Sequence, residues 1–323
     1  MLKDTLLKLI AIPGPSGYES ACADYIEKEL APYADEITRD VMGNLICVKR
    51  GKGGKKVMLA AHMDEIGFIV TAIEECGYLR VTTLGGINPK ITMASHVVMK
   101  SGAKGVLFQE AGSENVLFID VGASTKAEAE KLAMIGDWAV VNGVISDMGD
   151  RVAAPYMDDR CGCAVLMEAF KALDGQQSEV YAVFTTQEEV GCRGAQTAGY
   201  AIAPDMAIAL DVTIAQDYPR ANIQNAYVVS KLGEGCAVKI MDRGIVAHPA
   251  VVAAMEEAAN KAGVKYQREV LTGGATDVAT ISLTRGGVPS GTISIPCRYV
   301  HAPCEMIDLR DMDGAVKLLV ALL

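Results

Sequence analysis

VMLAAHMDEIG, residues 57–67, changes character in its middle. The apolar run Val57 to Ala61 reads as a short buried strand, and His62, Asp64 and Glu65 follow at once. On an extended backbone His62 and Asp64 project to the same side. Ionisable groups at the end of a buried strand are costly unless paired, solvated or bound to a cation. In an open α/β sheet, ligands bind beyond the carboxyl ends of the strands. The residues that follow the other apolar runs therefore decide what this edge is for.

The pattern recurs along the chain. VYAVFTTQ (180–187) reads as a strand and is followed by Glu188 and Glu189; MAIALDV (206–212) carries Asp211 near its end; GTISIP (291–296) leads to His301. PYMDDRCG (155–162) sets Asp158 and Asp159 before a helical stretch, CGCAVLMEAFKAL (161–173). NLICVK (44–49) reads as a further strand. Residues 20–31, TDVATISLT (276–284) and DMDGAVKLLVALL (311–323) read as helices. So does HPAVVAAMEEAANKAG (248–263), with Pro249 at its first position and Gly263 at its stop. The opening MLKDTLLKLIAIPG reads as a short amphipathic helix stopped by Pro13-Gly14-Pro15. Strands and helices alternating at these lengths imply an α/β fold, a mostly parallel sheet covered by helices on both faces.

From Gly67 to about Val141 the texture differs. GFIVTAIE, YLRVTTL, HVVMKS, GVLFQ and VLFIDVGA are short, mostly separated by glycine-containing turns, with one helical piece, STKAEAEKLA (124–133). Short strands at close spacing suggest a small barrel or sandwich. The expected organisation is a catalytic α/β domain made of residues 1–66 and 151–323, interrupted by a β-rich domain at 67–150.

Length and composition agree with this division. A chain of 323 residues exceeds one ordinary core, and half of its residues are hydrophobic. The net charge of −10, with no long run of Lys or Arg, argues against nucleic-acid or anionic-membrane partners. No apolar stretch reaches roughly 18 residues, and the N-terminus lacks a signal-peptide layout. The nine cysteines are scattered through apolar segments, which fits a reducing compartment. A soluble cytoplasmic protein is expected. Cys161, Cys163, Cys192, Cys297 and Cys304 are read as packing residues rather than ligands.

Each polar group has an ordinary explanation when taken alone. Asp159 would cap the helix that follows, Glu188 and Glu189 would be solvated loop charges, and His301 a hydrogen-bonded structural histidine. His96 and His248 keep that structural reading. The joint occurrence is what informs: two histidines and at least four carboxylates on one rim repel unless divalent metal neutralises them. Imidazole with carboxylate suits Zn²⁺, Co²⁺ or Mn²⁺. The carboxylates exceed what one tetrahedral ion uses, whereas two ions about 3.5–4 Å apart, sharing a bridging carboxylate, would use them. One is left over as a general base. The adjacent Glu188 and Glu189 can supply a ligand and a base from one turn, with His62 on a metal and Asp64 orienting it.

With these motifs in view, the chain resembles metallopeptidase family forty-two, the tetrahedral dinuclear metallo-aminopeptidases. The resemblance covers nearly the whole chain. It is carried in order by AAHMDEIG, DVGASTKAEAEKLAMIGD, YMDDRCG, TTQEEVGCRGA, ALDV, GGATDVATI and SIPCRYVHAPCEMIDLRD. It implies that Asp158 bridges two metals, that His62 and Asp211 complete one site, and that Glu189 and His301 complete the other. It further implies that Glu188 activates the bridging water, that Asp64 orients His62, and that the turn Gly273–Asp277 lies near the substrate. The insert would drive assembly into a twelve-subunit tetrahedron. Two departures stand out: Ala302 replaces the family's usual serine after the histidine, and the middle of the insert looks short.

The expected activity is removal of N-terminal residues from peptides with a free N-terminus, using two divalent ions per subunit, zinc first with cobalt or manganese as the other candidates. A deacylase of N-acylated amino acids or peptides would use the same dinuclear site. A metal-free glycosidase and a non-catalytic scaffold are the remaining alternatives. The preferred N-terminal residue is left open, since no single residue in the sequence marks the pocket.

Overall fold

The computed structural model describes residues 1–113, 116–219 and 229–323. Its main sheet has a parallel centre. Strand Glu179–Thr185 pairs in parallel with Lys56–His62, which pairs in parallel with Met206–Ile214, which pairs in parallel with Ser290–Arg298. Antiparallel strands extend both sides: Leu45–Lys49 and Glu36–Arg39 on one, Glu305–Asp308, Arg151–Ala154 and Ser146–Met148 on the other. Cys236–Met241 joins Ser290–Arg298 and carries Tyr266–Val270 beside it.

Alternation along Lys56–His62 explains the layering. Val57, Leu59 and Ala61 pack into a core shared with Leu166 and Phe170 of helix Met157–Ala172 and with residues of helices Leu2–Ile10, Ser20–Leu30, Pro249–Ala262 and Leu309–Leu322. Met58 and Ala60 face the other side, against Ala195 and Ala198 of helix Arg193–Ile202 and Val278 and Ile281 of the short helix Val278–Ile281. Two such faces on one strand are what helices on both sides of a sheet demand.

Residues 67–141 contain a closed six-stranded antiparallel barrel. Its strands, in spatial order, are Gly67–Ile73, Leu79–Leu84, Leu117–Asp120, Lys104–Gln109, His96–Met99 and Trp138–Val141, the last closing back on the first through Phe68 opposite Ala139. Phe68, Val70, Leu79, Val97, Leu107, Ile119 and Ala139 fill its interior.

Two helical expectations shorten. TDVATISLT yields α-helix at Val278–Ile281 alone, and STKAEAEKLA yields Lys126–Ala129 alone. Both stretches mix in β-branched residues or lack an apolar face long enough to hold extra turns. Helix Pro249–Ala262 starts at Pro249 and stops at Gly263 as expected, Gly263 taking the left-handed conformation, φ 65°; His248 Nδ1 adds a cap by accepting the Ala250 N–H at 3.3 Å. Among the described residues no helix is long and apolar enough to cross a membrane.

Candidate metal centre

The four central strands and one helix start deliver the polar groups to one rim. His62 ends its strand; Asp211 lies in Met206–Ile214; Glu188 and Glu189 follow Glu179–Thr185; His301 follows Ser290–Arg298. Asp158 and Asp159 sit at a kink where helix Met157–Ala172 leaves helical geometry, so regular helix begins after Asp159.

Asp158 is central to the arrangement. Its Oδ1 lies 3.0 Å from His62 Nε2, and its Oδ2 lies 3.3 Å from His301 Nε2. Asp211 Oδ1 is 3.9 Å from His62 Nε2, and Glu189 Oε1 is 3.3 Å from His301 Nε2. Two triads result, His62–Asp158–Asp211 and Asp158–Glu189–His301, each offering ligand atoms within 4.8 Å of one another. Both histidines have their other ring nitrogen engaged. His62 Nδ1 is 3.1 Å from the Asp64 carbonyl, and His301 Nδ1 is 2.6 Å from the Gly86 carbonyl. With each Nδ1 facing a carbonyl, Nε2 is the atom a cation would take, displacing the proton that the neighbouring carboxylates hold there. Gly86 follows barrel strand Leu79–Leu84, so the barrel contributes directly to the site. At its neighbour Gly85, φ +79°, a Cβ would lie 3.0 Å from Glu189 Oε2 and 2.8 Å from Ile66.

Asp64 does more than face His62. Its carboxylate is 3.5 Å from His62 Nδ1, farther than its own carbonyl, and it accepts hydrogen bonds from Ser16 Oγ (2.6 Å), Glu188 N (2.9 Å) and Glu189 N (3.2 Å). Glu305, which the sequence reading did not single out, accepts from Asp158 N at 3.0 Å and His301 N at 2.6 Å. A cluster of polar residues after each strand is visible in sequence; an acceptor reaching two backbone amides across a fold is not. Asp159 stays outside the ligand triads. It accepts the Gly162 N–H at 3.0 Å as a helix cap, and a Cβ on Gly162 would fall 2.3 Å from its carboxylate oxygens.

The electrostatics of these groups suit a cluster that positive charge neutralises. Burial pushes the Glu188 and Asp211 carboxyls well above their ordinary range, with mutual repulsion adding to it, and Glu189 also rises through burial. Burial opposes charge on His301 too, but the close Asp158 and Glu189 carboxylates outweigh it and raise that imidazole to about 12. Asp158 is held below its usual range because its contacts with both histidines exceed the cost of burial. Glu189 Oε1 is buried without a hydrogen-bond partner. Four close carboxylates, two imidazoles poised at Nε2 and an orphaned carboxylate oxygen fit a divalent cation pair.

The site opens into a cavity of about 490 Å³ whose lining includes Val212, Ile214, Leu271, Val300, Gly274 and Ala275. Cys161, Cys163 and Cys297 are buried, while Cys304 is exposed. Cys192 Sγ lies 3.2 Å from Glu188 Oε1, and with Asp277 these form a third acidic group beside the triads.

The chain matches the family of M42 glutamyl aminopeptidases over residues 43–318. It is 36% identical to the lysyl aminopeptidase of Pyrococcus furiosus, the match covering 99% of this chain and 96% of the relative. It is similar to the solved structure of an aminopeptidase from the archaeon Desulfurococcus kamchatkensis, with TM-score 0.95, 39% identity, and coverage of 99% of this chain and 93% of the other. It is similar also to the TET1 peptidase of Pyrococcus horikoshii, which can assemble into a tetrahedron or a large octahedral shell, with TM-score 0.88, 31% identity, and coverage of 100% and 99%. With its sheet, its barrel and the family match along most of its length, the chain belongs to the M42 glutamyl aminopeptidase family.

Proposed function

We propose that the chain is a dinuclear metal-dependent aminopeptidase acting on peptides with a free N-terminus. The observation that carries this reading is the division of the Asp158 carboxylate, one oxygen toward His62 and the other toward His301. His62, Asp158 and Asp211 would hold one divalent ion, and Asp158, Glu189 and His301 the other. Zinc, with cobalt and manganese as alternatives, would polarise the scissile carbonyl and acidify water. Glu188 is a carboxylate outside both triads that lines the same cavity. Its backbone N–H is held by Asp64, and its Oε1 faces the Cys192 thiol. In this reading Glu188 takes the proton of the attacking water and returns it to the departing amine. The side chain of the N-terminal residue enters the apolar cavity, and the substrate's α-ammonium is held among the carboxylates.

We further infer that residues 67–150 form the part through which copies assemble, giving a homo-oligomer and, by analogy with the shells of similar peptidases, a tetrahedral dodecamer. Met134 and Ile135, 65% and 68% exposed on the barrel side of the molecule, supply apolar surface for such contacts.

The test is hydrolysis of matched peptides with free and N-acetylated termini, by wild type and by Glu188→Gln. The proposal expects cleavage of the free peptide alone. The variant should keep its bound metal and lose about 10²–10⁴ in rate, the usual share of a general base. Preferential cleavage of the acetylated peptide would give the site to a deacylase. Normal turnover by the metal-loaded variant would remove Glu188 from the mechanism.

A further inference from the structure

Glu305 is 2% exposed, and among the described residues its hydrogen-bond partners are two backbone amides far apart in sequence. Oε2 accepts from Asp158 and Oε1 from His301. Neither amide sits on regular backbone. Asp158 has φ −79° and ψ 107° within the helix kink, and His301 has φ 63°, a conformation that costs a non-glycine residue about 1–3 kcal/mol. Amides on such backbone have no ladder or helix partner, and a buried N–H without a partner is itself expensive.

The placement of Glu305 is set by the sheet. Strand Glu305–Asp308 runs antiparallel to Arg151–Ala154 with Glu305 opposite Ala154. The chain leaving Ala154 turns through Pro155 and Tyr156 (φ 65°) and reaches Asp158 within four residues. The chain entering Glu305 has just come from His301. One carboxylate thus stands between the two segments that carry these groups. Asp64 does the same across the site, accepting the amides of Glu188 and Glu189.

We propose that Glu305 is a positioning residue for the metal pair, a clamp that holds Asp158 and His301 at the separation the two ions require; this rests on the dinuclear reading above. The clamp is asymmetric. Two of the three groups in the Asp158–Glu189–His301 triad hang from Glu305, but only one in the His62–Asp158–Asp211 triad. Loosening it therefore weakens the first ion site more than the second. In Glu305→Gln the amide keeps one acceptor and turns an NH₂ group against the other backbone N–H, with side-chain volume unchanged.

The experiment is a Zn²⁺ titration of the EDTA-stripped full chain against a chromophoric chelator, wild type beside Glu305→Gln. Unfolding midpoints of both stripped proteins are recorded alongside. The proposal expects two ions per wild-type chain. In the variant, one site should weaken about 10- to 100-fold, the range seen when partners of metal ligands are removed, and the other should weaken less. Unchanged dissociation constants in the variant, or equal weakening of both sites in step with a lowered midpoint, would overturn the clamp while leaving the metal reading intact. Failure of wild type to bind Zn²⁺ would overturn that reading itself. Should the stripped variant unfold too readily to titrate, the rise of its midpoint with Zn²⁺ concentration makes the same comparison.

Discussion

Replacing Arg160 with methionine tests how the rim is anchored. Arg160 and Glu65 are both fully buried, with Nη2 2.7 Å from Oε2; Glu65 Oε1 accepts the Gly14 N–H at 3.0 Å. Glu65 follows directly on Asp64, and Arg160 on Asp159, so this pair ties the end of the His62 strand to the Asp158 turn. The pair is imperfectly satisfied: Arg160 Nε and Nη1 lack partners, and burial raises the Glu65 carboxyl even beside the guanidinium. Methionine fills similar space but leaves Glu65 as an uncompensated buried charge, a loss of about 3–5 kcal/mol. An upper bound follows from protonation. At pH 7, putting a proton on a carboxyl of ordinary pKa near 4.3 costs about 2.7 units at 1.36 kcal/mol each, or roughly 3.7 kcal/mol. The variant can always escape by that route. Its destabilisation should be about 3–4 kcal/mol at pH 7 and shrink by about 1.4 kcal/mol per pH unit toward pH 5. The sign follows because a folded-state carboxyl with a raised pKa contributes stability at low pH and loses it as pH rises. Urea unfolding of the metal-free chain from pH 5 to 7.5 gives these values. Arg160→Met/Glu65→Gln should recover most of the stability at pH 7 and flatten the slope. A pH-independent loss, or a double variant as unstable as the sum of the two single ones, would show that the Arg160–Glu65 pair does not anchor the rim.

Other expectations follow from single contacts. Glu19 is pushed up to about 7 by burial and the nearby Asp64 charge, and its Oε1 accepts both Gly17 N and Gln187 N. Glu19→Gln can keep both bonds and removes the titration. Because the folded-state value is raised, the glutamate's share of stability is present below about pH 4.5 and lost as pH climbs through 7. The unfolding midpoint of Glu19→Gln should therefore gain on wild type across that window; a constant difference would contradict the assignment. Gly85→Ala should push a Cβ against Glu189 and Ile66 and lower kcat/KM about 10- to 100-fold, the scale of ångström misplacement in an active site. Barrel folding by circular dichroism should stay intact, and unaltered kinetics would show that the barrel edge does not shape the site.

Much of this arrangement is legible along the chain because sheet strands announce themselves. VMLAAH, VYAVFTTQ, MAIALDV and GTISIP are apolar runs, and the reactive groups stand where each run stops. Strands that depart from this pattern escaped. Cys236–Met241 contains Lys239, whose charge is buried beside Asp242 and Glu269, and Glu305–Asp308 opens and closes on carboxylates. Helix Arg193–Ile202 carries Gly194 and Gly199, which lower helix propensity, yet it forms because Ala195 and Ala198 pack tightly on the sheet. Gly86, Ser16 and Glu305 could not be found by spacing, since each serves the site through a contact between distant segments. Asp64 was expected to orient His62. In the structure its carboxylate spends its hydrogen bonds on Ser16, Glu188 and Glu189, and its carbonyl faces the histidine.

Whether the divided Asp158 carboxylate organises a pair of ions for peptide hydrolysis is decided by metal content per chain measured together with activity. The full chain, stripped with EDTA and dialysed against Zn²⁺, should take up two ions per chain and regain hydrolysis of aminoacyl-p-nitroanilides in parallel with uptake. One ion or none per chain, or activity that survives stripping unchanged, would contradict it.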